Sequence, residues 1–229
     1  MKKTTLILLS LIFVIVSTFS IDYSFNKVLT ASKYSNISKN TIIIDPGHGG
    51  KDNGTSAKDG TKEKDINLTI ATILYDYLMV CGINTVMTRY GDYEVYKENE
   101  KRNRSDLYNR LDFIKSIDNG IMVSIHQNFF TNTAEWGMQI WYSPNDNDSK
   151  IIADNILSIN KTLLNNTNNR NNKKSTDDYY ILYNASCPSI MVECGFMSNI
   201  EENKKLKDEN YQQSIAYCIM LGIIEYMGD

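Results

Sequence analysis

Residues 41–50 read TIIIDPGHGG, and this run constrains the fold more than any other in the chain. An unbroken β-branched run has no polar side to offer water, so it reads as a strand inside a sheet that is covered on both faces. The Asp-Pro-Gly that follows stops the strand sharply and delivers His48 into a loop flanked by glycines. The chain has only two histidines. The second, His126, stands near the end of another apolar run, GIMVSIHQN at 120–128. An acid, Glu63, lies between them in sequence at the start of a helical pattern. Two strand tips that each carry a histidine, with a carboxylate between, point to a metal site.

The remaining pattern alternates strand and helix. Residues 63–81 carry apolar positions at helical spacing, with Gly82 as the stop. Residues 83–88 read as a strand, and Ser105 as the cap of a helix holding Leu107, Leu111, Ile114 and Ile117. Residues 121–125 and 137–143 read as strands, the latter alternating as an edge strand does. Residues 149–164 read as a helix, 165–172 as a solvated Asn-rich loop, 179–183 and 189–193 as strands, and 211–227 as a final helix. The expected fold is therefore α/β: a single domain with a mostly parallel or mixed sheet of about six strands and helices on both faces. In such sheets ligands bind at the carboxyl ends of strands, which is where both histidines and Glu193 lie.

The first 20 residues differ in kind. Lys2 and Lys3 precede an apolar run at 6–16, followed by small polar residues. This describes an export signal or, if uncleaved, an N-terminal membrane anchor. The run is shorter than the roughly 20 residues that span a bilayer. Residues 21–40 are polar and read as a linker, which leaves 41–229 as the folded domain. The chain is exported on this reading. A net charge of −3, with no basic run, excludes nucleic acid as a partner. Of the four cysteines, Cys81 and Cys218 fall on apolar helical faces, so buried thiols are expected in preference to disulfides.

Two histidines and a glutamate with an open fourth place are a donor set suited to catalytic zinc. Glu63 follows His48 by 15 residues, and the glycines between let that loop fold back. Residue types alone also allow surface histidines and a helix-start acid favoured by the dipole. Glu193 ends the apolar run PSIMVE and can serve as a general base toward a metal-activated water. Cys194 beside it should point the other way, because strand side chains alternate. Arg89, Arg110 and Asn128 are candidates for substrate contact, although Arg110 also fits a helix-surface ion pair.

IIDPGHGG at 43–50, Glu63-Lys64, Thr88-Arg89, LYNR at 107–110, VSIHQN at 123–128 and MVECGFMSN at 191–199 occur together in one order. In this the chain resembles zinc-dependent N-acetylmuramoyl-L-alanine amidases of the Amidase_3 type over about residues 41–227. The resemblance implies one zinc on His48, Glu63 and His126, and a catalytic Glu193. It also implies hydrolysis of the amide between the lactyl group of muramic acid and the first L-alanine of the peptidoglycan stem. With only the catalytic domain, the chain looks like the sporulation and germination amidases of spore-forming bacteria, which act in the spore cortex. Gln127 departs from the small residue usual there and is expected to narrow the pocket beside His126. A three-ligand site can also hold zinc loosely until substrate or an envelope protein closes it. A zinc peptidoglycan carboxypeptidase or endopeptidase would use the same set of residues, whereas a non-catalytic wall-binding module would not need it.

Overall fold

The computed structural model describes residues 40–96 and 106–228. The export segment, nearly all of the linker and the Ser105 cap lie outside the described residues. Six strands form one sheet: β1 (Thr41–Pro46), β2 (Thr85–Met87), β3 (Gly120–Asn128), β4 (Gln139–Tyr142), β5 (Lys173–Lys174) and β6 (Ser189–Phe196). The helices are α1 (Glu63–Val80), α2 (Asp106–Lys115), α3 (Asp148–Leu163), α4 (Tyr180–Asn184), α5 (Ile200–Leu206) and α6 (Glu209–Gly228). The strand order is β2-β1-β3-β6-β4-β5. β2, β1, β3 and β6 run parallel, β4 is antiparallel to β6, and β5 is parallel to β4. The sheet is thus mixed, as the strand–helix alternation implies. Among the described residues no helix is long and apolar enough to cross a membrane.

The pleat assigns each isoleucine of β1 to a side. Ile42 and Ile44 join the larger core, with Ile70 and Leu74 of α1, Ile156 of α3 and Ile219 of α6. Ile43 joins the smaller core on the opposite face, with Leu111 and Ile114 of α2 and Leu182 of α4. The same alternation fixes the site. Asp45 pairs in register with Ser124, and His126 with Glu193. All four have the parity of Ile43, so they rise on the α2–α4 face near the carboxyl ends of β1, β3 and β6.

Beneath the site lies a buried polar knot. Asp45, 2% exposed, accepts hydrogen bonds from Thr88 Oγ1 (2.6 Å), Ser124 Oγ (2.9 Å) and Arg110 Nη1 (2.7 Å). Burial alone would raise its pKa, but Arg110 and Thr88 outweigh burial and hold the carboxyl below the usual range. Asp45→Ala leaves buried Arg110 with Asp106 as its remaining carboxylate partner, so it should cost about 1–3 kcal/mol of stability, read by chemical unfolding.

Three local expectations are corrected. Residues 179–183 are not a strand; the turn of helix α4 begins at Tyr180. Ile181 and Leu182 are both buried, which a half-exposed strand cannot arrange for consecutive residues but a helical turn over the α2 face can. β4 is not at the edge, because the two-residue β5 pairs with Trp141 and Tyr142. The Asn-rich loop is not wholly solvated: Asn168 is buried and its amide donates to the Met138 carbonyl. Helix α5 was not expected; the Asn199 side chain caps it by accepting from the Glu201 and Glu202 amides. All four cysteines are free thiols, with Cys194 and Cys218 buried.

Candidate metal centre

His48, Glu63 and His126 converge at the carboxyl edge of the sheet. A potential donor atom from each lies within 4.8 Å of the others, so the group could hold a metal ion. His48 sits in the left-handed backbone region at φ 62°. Its Nδ1 is 2.7 Å from Asp52 Oδ2, which leaves Nε2 turned to Glu63 Oε2 at 3.3 Å. His126 Nδ1 is 3.0 Å from Glu63 Oε1. The two rings stand edge to face with centroids 5.0 Å apart.

Glu63 is 3% exposed, and backbone amides orient its carboxylate. The Thr55 amide donates to Oε2 (2.8 Å) and the Gln127 amide to Oε1 (3.0 Å). Burial would raise the Glu63 pKa, but the bonds from His126 and His48 outweigh it and hold the carboxyl far below its usual range. Burial likewise opposes the charged form of His48, yet Glu63 and Asp52 raise its pKa to about 9. The proton on His48 stands in for the positive charge that a metal would bring beside Glu63. This donor set of two imidazoles and one carboxylate fits a borderline divalent ion.

The sign of these shifts gives a test. The folded pKa of His48 lies above its unfolded value of 6.5, so its contribution to stability is complete below that pH and is lost as pH rises through about 9. The melting temperature of chelator-treated protein should therefore fall between pH 6.5 and 9, and a divalent ion held at the site should flatten that fall.

Two glycines make the convergence sterically feasible. A Cβ on Gly47 would lie 2.2 Å from His126 Nε2. One on Gly54, at φ +63°, would lie 2.5 Å from Glu63 Oε2.

Glu193 is set beside the triad by its register with His126. Its Oε2 is buried and makes no hydrogen bond among the described residues. Burial pushes its pKa up to about 7 against the pull of His126. A cation at the triad would draw that value back down and favour the ionised base. Cys194 faces the opposite side and belongs to the larger core. A cleft of about 520 Å³ opens over the site, lined by His48, His126, Arg110, Tyr96, Leu107 and Ile181 among others.

Residues 42–225 match the N-acetylmuramoyl-L-alanine amidase family Amidase_3. The chain belongs to this family. It is 32% identical over 200 residues to the germination-specific N-acetylmuramoyl-L-alanine amidase of Bacillus subtilis (strain 168), covering 83% of this chain and 81% of the relative. Its fold is similar to that of the CwlD amidase from Clostridioides difficile, solved in complex with the GerS lipoprotein. That likeness has a TM-score of 0.76 at 40% identity and covers 82% of this chain and 98% of the other. The amidase AmiC2 of Nostoc punctiforme has a TM-score of 0.73 at 30% identity, covering 84% of this chain and 99% of that one.

Three residues of this amidase are placed otherwise than the sequence implies. Arg89 is fully buried, with its guanidinium bonded to backbone carbonyls, so it cannot touch substrate. Arg110 lines the cleft, but its side chain is 3% exposed and already bonded to Asp45, Asp106 and the carbonyls of Pro46 and His48. Gln127 does not narrow the cleft. Its side chain lies on the opposite face, where Nε2 donates to Asn67 Oδ1 (3.1 Å). Asn128 ends β3 and is half-buried. Asp52 escaped the sequence reading. A second acid four residues after His48, inside the glycine-rich loop, was the available signal.

Proposed function

We propose that this amidase binds one Zn²⁺ on His48, Glu63 and His126 and cleaves the amide between the lactyl group of muramic acid and L-alanine. The observation that carries this reading is the buried Oε2 of Glu193, which has no hydrogen-bond partner among the described residues and shares a sheet face with His126. A carboxylate in that state is costly unless it serves a reaction. Bound zinc would lower the pKa of water and polarise the lactyl carbonyl.

The remaining work falls to the chain. Asp52 accepts a hydrogen bond from the Nδ1–H of His48 and so presents Nε2 as the ligand. The Thr55 and Gln127 amides hold the Glu63 carboxylate in place. Glu193 takes a proton from the attacking water and returns it to the departing L-alanine nitrogen. The cleft over His48 and His126 has room for the muramyl-peptide junction.

The likeness to a germination-specific amidase and to CwlD supports a role in spore cortex maturation. Residues 1–20 would export the chain and residues 41–229 would form its catalytic domain. The GerS lipoprotein bound to CwlD supports an envelope protein as a partner here too. Digestion of purified peptidoglycan with the zinc-loaded protein tests the reading. New lactyl carboxyl groups and free stem peptides support it. Binding without release of product would mark a wall-binding module instead.

A further inference from the structure

We propose that Arg89 is a positioning residue that sets metal affinity by bracing the His48 loop against the start of helix α1. The inference rests on the zinc assignment above. One nitrogen of Arg89, Nη2, donates to the Gly47 carbonyl and to the Lys64 carbonyl, both at 3.0 Å. Gly47 precedes the ligand His48, and Lys64 follows the ligand Glu63. A single atom therefore ties together the backbone beside two ligands that are 15 residues apart in sequence.

The other guanidinium bonds complete the brace. Nε donates to the Pro46 carbonyl (2.9 Å) and Nη1 to the Gly91 carbonyl (2.9 Å). Arg110 adds bonds to the carbonyls of Pro46 (2.7 Å) and His48 (2.5 Å). The consecutive carbonyls of residues 46, 47 and 48 thus all accept from buried arginines. This matters because His48 is held at φ 62°, a backbone state that a non-glycine residue seldom takes unless its surroundings impose it. Gly49 lies against the Arg89 side chain: a Cβ there would lie 2.6 Å from the Tyr93 carbonyl oxygen and 3.1 Å from Arg89 Nε, at a backbone φ of +140°.

Two cationic side chains buried side by side are an expensive way to tie a loop. Uncharged residues could pack the same space. The planar fork of arginine, however, presents donors in several fixed directions at once, which neither an ammonium nor an amide can do.

The test is the zinc dissociation constant of Arg89→Lys, measured by competition with a chromophoric chelator, beside the melting temperature of the metal-free protein. Affinity should fall between about 10- and 100-fold, the usual cost of losing a group that orients ligands. Arg89→Gln, which buries no charge, serves as the second variant if the lysine protein does not fold, and it too should lose affinity. A lowered melting temperature with wild-type zinc affinity, in whichever variant folds, would assign Arg89 to folding alone and overturn the inference. Failure of the wild-type protein to bind zinc would instead overturn the metal assignment, so the two failures are distinguishable.

Discussion

Glu193→Gln is expected to lower kcat/KM on muropeptides by about 10²–10⁴-fold, the usual contribution of a positioned general acid–base group. The amide is close in size to the carboxyl it replaces, and β6 is anchored on both sides by β3 and β4. Melting temperature should not fall, because the wild-type Oε2 already makes no bond among the described residues. Zinc stoichiometry should stay at about one, since the three proposed ligands are untouched. The effect should lie in kcat, because Glu193 acts on protons in flight and not on bound substrate. A variant that kept wild-type turnover would remove Glu193 from the mechanism.

The second large effect belongs to Glu63→Gln. The carboxylate takes bonds from both imidazoles and from two backbone amides. The amide side chain preserves the shape but lacks the charge that compensates a divalent ion in a buried site. Zinc should be lost on dialysis and activity should fall at least as far as for Glu193→Gln. The His48 pKa, raised to about 9 largely through Glu63, should drop in the metal-free variant, which a histidine NMR titration would read. Full zinc retention would mean that Glu63 is not a ligand.

The parts of the fold that were legible share a reason. An unbroken run such as Ile42–Ile43–Ile44 has one structural use, and two histidines in 229 residues leave few ways to build a site. Arg110 forms the ion pair that its place on a helix allowed, with Asp106, and a second with Asp45, whereas Arg89 was misread because its partners are carbonyls of Pro46, Gly47, Lys64 and Gly91. A backbone acceptor leaves no residue-type signature, so a charged side chain near a site looks like a substrate contact. Gln127 was misread although the needed rule was at hand. Strand alternation correctly turns Cys194 away from Glu193, and the same rule turns Gln127 away from the cleft once His126 faces it. The turn of helix at α4 was hidden because five residues are too few to express either period. Asn168 was hidden in a run of asparagines, only one of which is buried to bond the Met138 carbonyl.

The central claim concerns which bond is cut. Mass spectrometry of muropeptides from peptidoglycan digested with the zinc-loaded protein addresses it directly. The account predicts muramic acid with a free lactyl carboxyl, together with intact stem peptides that begin at L-alanine. Stems shortened by one residue or cut internally, still attached to muramic acid, would make the protein a peptidase and contradict the account.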